Sequence, residues 1–385
     1  MRIAFYAPLK PPDHGQPSGD RRIAQLLWQA LRQGGHDVVL AAHYRSREAH
    51  GDELRQRRLR ATGERLAARL VRRYLRVTEA ERPEVWFTYH LYYKAPDWLG
   101  PIVSSALGIP YVVAEASYAP KRDCAPWQMV HRAVGAAIAK ADAVIALNPD
   151  DVACVMPLRQ GFRGATPVHF LPPFLDAHAF VPQASKATLR GRLAHEFNLD
   201  PAATWLTSVA MMRPGDKLAS YTMLAAALRE LPEQNWQLLI VGDGETRAEV
   251  ESLMANVPGD RIRFVGLQQS SRLAETLCAC DLYVWPAVNE AFGMAFLEAQ
   301  VCGLPVVAGA TRGVPAVVAD GVTGTLTPLT PAAIAAALRA LIQAPAQRAR
   351  YGMAAASYVR RQHDIDAGAA ALNAILADLR VDARW

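Results

Sequence analysis

The sequence predicts an α/β protein made of two similar domains. Short apolar runs alternate with stretches of helical periodicity, a pattern typical of a parallel sheet that helices cover on both faces. The pattern occurs twice, and the proline-containing stretch PFLDAHAFVPQ (173–183) separates the two series. A length of 385 residues also fits two domains.

Six apolar runs in the first half are predicted to be buried strands. Between the first two of them, RRIAQLLWQALRQ (21–33) carries apolar residues at helical spacing and stops before Gly34 and Gly35. The six runs are RIAFYAP (2–8), DVVLAAHY (37–44), EVWFTYH (84–90), YVVAEA (111–116), AVIALN (143–148) and PVHFLPP (167–173).

The second half repeats this plan and ends in a last helix. We expect a first domain over 1–178, a second over 179–361, and a helix within 362–385 that packs back on the first domain. Ligands of such sheets bind beyond the carboxyl ends of the strands, so a cleft between two facing domains is the expected active site. The strand-like runs of this half lie at 204–212, 236–242, 261–266, 281–287, 305–309 and 324–328.

Charge and cysteine content narrow the function classes. The net charge is +6, and the segment 45–82 holds twelve Arg against six Asp or Glu, an excess equal to that of the whole chain. Because this segment has no aromatic residue apart from Tyr74, a nucleic-acid partner is not expected. The sequence has five cysteines without repeated spacing, no signal-peptide pattern and no apolar run of membrane length. These features favour a reduced, cytoplasmic setting without a metal site.

Two glutamates eight residues apart mark the stretch NEAFGMAFLEAQ (289–300). Glu290 follows a strand, and Glu298 lies about two turns into a helix that we expect to begin near Ala291. Free N–H groups at the start of that helix favour a phosphate, and Gly293 permits a ligand to approach the backbone closely. The stretch predicts a ligand with a sugar near Glu290, a diphosphate at the helix start and a ribose near Glu298.

Cations for this diphosphate are expected after the first strand of the second series. There MMRPGDK supplies Arg213, a planar fork, and Lys217, a point charge. A third element, IVGDGE, resembles a nucleotide-binding turn through Gly242 and Gly244. Because Arg247 occupies the third glycine position of GxGxxG, a dinucleotide ligand is not expected.

The second half resembles the retaining GT-B glycosyltransferases of family 4. The stretch NEAFGMAFLEAQVCGLPVVA, followed by GVPAVVADGVTGTLTP, is similar to that family's pattern ExFGxxxxEAxxxGxPV and, after a helix, DGxxG. The similarity is close over 204–328, while the amino half matches mainly in architecture. The resemblance implies two Rossmann-like domains facing a cleft and a UDP- or GDP-linked sugar as donor, used without a cofactor or a required metal. It also implies transfer, with retention of configuration, to a hydroxyl of a glycan, lipid or small-molecule acceptor.

The resemblance also assigns roles to residues. The family's basic pair stabilises the leaving diphosphate and its first glutamate touches the donor sugar, which implies Arg213, Lys217 and Glu290 as the catalytic residues. The family favours a donor phosphate oxygen as the group that takes the acceptor's proton, so no protein base is assigned. Donor contacts are expected at Gly19, Gly242, Gly244, Phe292, Gly293, Met294 and Glu298.

The amino half departs from the family pattern at two positions. The first loop usually carries a glycine pair, whereas HGQPSGDRRIAQ has only Gly19 before the helix, with a serine ahead of it as a candidate cap. Many members place a histidine after the strand in the middle of the first domain, where this chain has Glu115 or Ala116. The carboxylate of Glu115 either binds a donor or acceptor hydroxyl or receives a proton; alternatively it pairs with Lys121 or Arg122 as an ordinary loop residue.

Acceptor contacts are expected in the first domain. His90, Tyr92 and Lys94 follow a strand end and either line an acceptor site or serve packing. Asn148 either reaches the cleft or starts a turn before Pro149.

The arginine-rich segment 45–82 allows two interpretations. Its leucines have helical spacing, so the segment either lies on an anionic membrane surface, near a lipid-linked or cell-surface acceptor, or is a solvated helix face. The residues with this spacing are Leu54, Leu59, Leu66, Leu70 and Tyr74.

Two other functions compete with glycosyl transfer. The first is a nucleotide-sugar epimerase of the same fold. It is disfavoured by the stretch 289–300, in which Glu290, Gly293 and Glu298 follow one another. A non-catalytic nucleotide-sugar-binding protein is disfavoured because the basic pair and both glutamates are present.

Overall fold

The computed structural model describes residues 1–16, 18–161, 167–231, 235–291 and 293–382. The chain forms two compact units, the first comprising Met1–Pro172 with Ile365–Trp385 and the second Pro173–Asp364. The chain therefore passes between units at residues 172–173 and 364–365, where the sequence suggested changes after 178 and 361.

The first unit is built on a six-stranded parallel sheet with strand order β2-β1-β3-β4-β5-β6. All six predicted strands are confirmed; β4 and β5 are buried at every position and β1 and β3 at all but one, as expected for the centre of a parallel sheet covered on both faces. The elements are β1 (Arg2–Tyr6), α1 (Gly19–Gln33), β2 (Asp37–Leu40), α2 (Glu53–Arg76), β3 (Val85–Leu91), α3 (Gly100–Leu107), β4 (Tyr111–Ala116), α4 (Gln128–Lys140), β5 (Ala143–Ala146), α5 (Pro149–Val155) and β6 (His169–Phe170).

Helix α1 confirms the predicted amphipathic helix and its serine cap. Oγ of Ser18 accepts the N–H of Arg21 at 3.2 Å, and the helix ends at Gln33, with Gly34 as the closing residue. The sequence suggested that Gly19 stands just before the helix, but Gly19 is the first residue of the helix.

Helix α2 spans 24 residues and packs against α3. The residues with helical spacing differ in exposure: Leu54 is 58% exposed, whereas Leu70 and Tyr74 are buried against the rest of the unit. The buried stripe follows a helical repeat and includes three positions without a large apolar side chain; its members are Gln56, Gly63, Ala67, Leu70 and Tyr74.

The second unit repeats the plan with a parallel sheet of order β12-β11-β10-β7-β8-β9. All six predicted strands are again confirmed, and one hydrophobic core includes the buried rings of Trp205, Trp236 and Trp285. The elements are α6 (Lys186–Phe197), β7 (Thr204–Val209), α7 (Asp216–Arg229), β8 (Trp236–Val241), α8 (Arg247–Ala255), β9 (Ile262–Gly266), α9 (Ser270–Ala279), β10 (Leu282–Trp285), α10 (Met294–Val301), β11 (Val306–Gly309), β12 (Gly324–Thr327), α11 (Pro331–Gln343) and α12 (Pro345–Gln362).

The last helix, α13 (Ile365–Asp382), belongs to the first unit and packs against α1. Nδ2 of Asn373 donates to the carbonyl of Gly34 at 3.1 Å, and its Oδ1 lies 2.7 Å from Nε2 of His36. The predicted return of the last helix to the first domain is therefore confirmed. Among the described residues, no helix combines the length and apolarity that crossing a bilayer requires.

Candidate active site

Lys217 and Glu290 form an ion pair at the carboxyl edge of the second sheet. Nζ of Lys217 lies 2.5 Å from Oε2 of Glu290 and 5.6 Å from the centre of the Trp285 ring. Lys217 stands at the start of α7, after β7, and Glu290 stands in the loop after β10. Because β7 and β10 are neighbours in the sheet, the segments that follow them meet at one point.

The loop that carries Glu290 is held on α7 by side chains that the sequence did not single out. The N–H of Val288 donates to Oγ of Ser220 at 3.0 Å, and Nδ2 of Asn289 donates to Oδ1 of Asp216 at 3.3 Å. Asn289 has a φ of 54°, a conformation that non-glycine residues keep mainly where their surroundings enforce it. These contacts fix the position of Glu290.

Helix α10 begins at Met294, not near Ala291 as predicted. Gly293 caps it with a φ of 68°, and a Cβ there would collide with the ring of Phe296. The requirement for glycine is therefore steric and conformational. Glu298 consequently lies little more than one turn into the helix, not two.

Phe292, a predicted donor contact, lies outside the described residues.

The two glutamates of the stretch lie near the same buried side chain of β10. Burial raises the pKa of Tyr283 well above its ordinary value, and the carboxylates of Glu290 and Glu298 raise this pKa further. The hydroxyl of Tyr283 donates to the carbonyl of Val209 at 3.4 Å. The structure thus brings Lys217, Glu290 and Glu298 into one region of the second unit.

The glycines after β8 are explained by contact between two loops. A Cβ on Gly242 would collide with the backbone carbonyl of Ala210, and one on Gly244 with that of Met212. Both glycines have a positive φ, 140° and 157°. The close approach of the loops after β7 and β8 accounts for these residues, while Arg213, next to Met212, is exposed.

The first unit places His90 between two carboxylates at the carboxyl edge of its sheet. Nδ1 of His90 is 3.3 Å from Oδ1 of Asp20 and 3.8 Å from Oε1 of Glu115. The ion-pair partner of Glu115 is thus His90, not Lys121 or Arg122. His90 ends its strand with a φ of 62° and Glu115 has a φ of 59°, so both adopt the left-handed conformation.

The imidazole of His90 and the carboxylates of Asp20 and Glu115 each stabilise the charged form of the other. Burial lowers the pKa of His90, but Glu115 and Asp20 outweigh burial and raise this pKa above its ordinary value. Burial raises the pKa of Glu115, and His90 offsets part of that shift. The pKa of Asp20 is lowered because its contact with His90 outweighs burial. These directions favour a protonated imidazole beside an ionised Asp20.

Asp20 was missed by the sequence analysis. Its signal is its place beside Gly19 at the start of α1, the helix that follows β1, which brings it to the same sheet edge as His90. Gly19 itself is exposed, and a Cβ there would meet no atom within 4 Å, so its predicted donor contact stays a prediction. No group of three or more His, Cys, Asp or Glu side chains in the described ranges is arranged to hold a metal ion.

Of the remaining residues predicted to contact the acceptor, Asn148 has a structural role, and the roles of Tyr92 and Lys94 stay predictions. Asn148 is 2% exposed, and its Oδ1 caps α5 by accepting the N–H of Asp150 at 3.0 Å, which is the structural alternative. Tyr92 and Lys94 are half-buried in the loop after β3, beside a series of aromatic rings.

Comparison with known proteins identifies the family. A family model described as "Glycosyl transferase 4-like domain" matches residues 18–173, and one described as "Glycosyl transferases group 1" matches residues 215–358. The D-inositol 3-phosphate glycosyltransferase of Xylanimonas cellulosilytica is 30% identical over 317 residues, which cover 77% of this chain and 73% of that enzyme. This chain belongs to the group 1 glycosyltransferases.

Other relatives of this glycosyltransferase match over a shorter length. The D-inositol 3-phosphate glycosyltransferase of Actinosynnema mirum is 35% identical over 202 residues, which cover 49% of this chain and 46% of that enzyme. Both shares are below half, so this match bears on part of the chain.

Solved structures establish the fold of the glycosyltransferase as GT-B. The sucrose-phosphate synthase of Thermosynechococcus elongatus has a TM-score of 0.71 at 20% identity and covers 99% of this chain and 100% of its own. HepE of Anabaena in complex with UDP has a TM-score of 0.73 at 18% identity and covers 98% of this chain and 100% of its own. The two Rossmann-like domains that the sequence resemblance implied are confirmed.

Proposed function

We propose that this glycosyltransferase moves a sugar from a UDP-linked donor to a hydroxyl of a glycan, lipid or small-molecule acceptor, with retention of the anomeric configuration. The observation that carries the proposal is the Lys217–Glu290 ion pair, placed near Glu298 at the carboxyl edge of the second sheet. The complexes of Anabaena HepE with UDP and with UDP-glucose support UDP as the nucleotide.

The proposed chemistry assigns charge stabilisation to Lys217 and Arg213. The bond from the anomeric carbon to the terminal phosphate oxygen breaks, negative charge develops on the departing diphosphate, and the two cations stabilise that charge. The acceptor oxygen bonds to the anomeric carbon, and its proton passes to a donor phosphate oxygen. These protein cations support transfer without a required metal.

The two glutamates hold the donor at its two ends in this proposal. Glu290, fixed by Lys217 and by its loop, accepts hydrogen bonds from hydroxyls of the transferred sugar. Glu298 accepts hydrogen bonds from the ribose, while the first N–H groups of α10, beginning with Met294, are directed to a phosphate. Positioning of the donor is therefore a second contribution to the rate.

We also propose a peripheral contact of α2 with an anionic membrane surface on the cytoplasmic side. The side chains of Arg57, Arg58, Arg72 and Arg73 are exposed, and Leu54 and Leu75 are 58% and 52% exposed near the two ends of the helix. Basic residues with exposed apolar neighbours favour binding to anionic lipids. Such a contact suits a lipid-linked acceptor of a cell-envelope polysaccharide.

The transfer reaction is tested by incubating the protein with UDP-sugars and candidate acceptors and following UDP release. Proton NMR of the product then reports the anomeric configuration. We expect UDP release that depends on an acceptor, a product with the donor's configuration, and loss of both in Lys217→Met. An inverted product contradicts retention, and conversion of the donor sugar without UDP release indicates the epimerase alternative.

A further inference from the structure

A ladder of aromatic rings leads away from His90 along the loop after β3. The ring centres of His90 and Tyr92 are 4.9 Å apart, those of Tyr92 and Tyr93 are 5.6 Å apart, and those of Tyr93 and Trp127 are 4.9 Å apart. The contact of His90 with Tyr92 joins the end of β3 to the loop after it. The contact of Tyr93 with Trp127 joins that loop to the loop after β4. The ladder therefore connects the His90 cluster to the loop after β4.

Two cations lie against the far end of this ladder. Nζ of Lys94 is 5.8 Å from the ring centre of Tyr93 and 5.7 Å from that of Trp127, and Cζ of Arg122 is 5.1 Å from the ring centre of Tyr93. We call Tyr93, Lys94, Arg122 and Trp127 the basic shelf. A positive charge held against an aromatic face is partly removed from water and gains from a nearby anion.

The carboxylates around the basic shelf are already engaged. Glu48 accepts the backbone N–H groups of its own loop at 2.6 and 2.8 Å, and Asp123 pairs with Arg132 at 2.9 Å. In the part of the chain that the structure describes, neither Lys94 nor Arg122 forms an ion pair with an acidic side chain. The shelf thus has two positive charges without a protein counter-charge.

The basic shelf is anchored in the fold. Trp127 is 8% exposed and packs with Trp98 and Val130 in a small hydrophobic cluster. The N–H of Glu48, from the loop after β2, donates to the carbonyl of Lys94 at 2.9 Å. Three loops are therefore joined at this point, and the two cations are carried by a packed support.

We propose that the basic shelf binds an anionic group, a carboxylate or a phosphate, on the acceptor sugar, whose ring lies along the ladder. This inference rests on the proposed function, since it names the acceptor class for the same transfer. Aromatic side chains suit the apolar face of a sugar ring, and Lys and Arg suit the anion.

The test compares small probes for binding to the intact protein and to a shelf variant. Glucose, glucuronate and glucose 6-phosphate are titrated by isothermal calorimetry against wild type and the double variant Lys94→Met with Arg122→Gln. Lys121→Met is the matched control, because it removes a charge from the same loop without an aromatic contact. The binding of UDP to each variant reports whether the donor side and the fold are intact.

We expect at least one of the two anionic probes to bind wild type more tightly than glucose does. The same probe should bind the double variant at least about tenfold more weakly than it binds wild type. The control variant and the binding of UDP stay unchanged. Tighter binding of glucuronate assigns an acidic glycan, and tighter binding of glucose 6-phosphate assigns a phosphorylated acceptor. The inference is overturned if wild type binds neither anionic probe more tightly than glucose, or if the double variant binds them as tightly as wild type does. If wild type does not bind UDP, that result contradicts the proposed function instead.

Discussion

Nζ of Lys217 lies 2.5 Å from Oε2 of Glu290, so the two residues with proposed roles in sugar transfer act as one unit. The lysine holds the carboxylate in place, and its ammonium has further N–H donors for a phosphate oxygen. A change at either residue therefore affects both the positioning of the sugar and the charge on the diphosphate.

Replacement of Lys217 by Met is expected to lower kcat by about 10²–10³-fold, since it removes a stabilising charge from the transition state. The side chain of Lys217 is 34% exposed, so the melting temperature should fall little. The variant Lys217→Arg keeps the charge but not the geometry, so its kcat should lie between those of wild type and Lys217→Met. Steady-state kinetics and a thermal melt check this, and a loss of stability in step with the loss of rate would mark Lys217 as structural.

Gly293→Ala should disrupt the start of α10 more than the same change at Gly321. The two glycines have nearly equal φ angles, 68° and 70°, so both variants carry the strain of an L-residue in the left-handed region, of order 1–3 kcal/mol. Only at Gly293 does the new Cβ also meet a ring, that of Phe296, while nothing lies within 4 Å at Gly321. Denaturant unfolding of both variants measures the difference, and equal losses would contradict the steric account.

The raised pKa of His90 makes a pH-dependent contribution to stability. A histidine whose pKa is higher in the folded than in the unfolded state stabilises the fold fully below its unfolded value, near 6.5, and loses that contribution as pH rises through the folded value. The difference in free energy of unfolding between wild type and His90→Gln should therefore be largest below pH 6.5 and shrink as the pH rises above that value.

Unfolding curves across that pH range check the prediction. Glu115, whose pKa is also raised, loses its contribution as the pH rises above its ordinary value of 4.5, so the curves for the second variant, Glu115→Gln, start below that pH. A constant difference between wild type and His90→Gln at all pH values would show that folding does not shift the pKa of His90.

Charge on the exposed face of α2 should govern any vesicle binding. Replacing Arg57, Arg58, Arg72 and Arg73 with glutamine is expected to release the protein from anionic vesicles in a flotation assay, because each basic residue near the surface adds about 1 kcal/mol. Lysine at the same four positions should keep most of the binding. Wild type that does not float with anionic vesicles at low salt would end the membrane proposal.

Strands and domain order follow from the sequence because parallel strands buried on both faces are continuous apolar runs. The start of α10 does not, since a left-handed residue such as Gly293 ends the preceding loop without any change in hydrophobic periodicity. Contacts between residues distant in sequence were also missed. Asp20 meets His90, and Tyr93 meets Trp127, because strands that are neighbours in the sheet end at the same sheet edge.

The central claim is that the second unit binds a UDP-sugar through Glu298 and its neighbours, and a thermal-shift titration tests it most directly. UDP, GDP, ADP and dTDP are each titrated against wild type, Glu298→Ala and the exposed control Glu249→Ala. We predict that UDP stabilises wild type by about 2.7 kcal/mol at one hundred times its Kd. The control should match wild type, and Glu298→Ala should lose about 1–3 kcal/mol of binding energy. No shift of wild type with any nucleotide, or an unchanged response of Glu298→Ala, would contradict the claim.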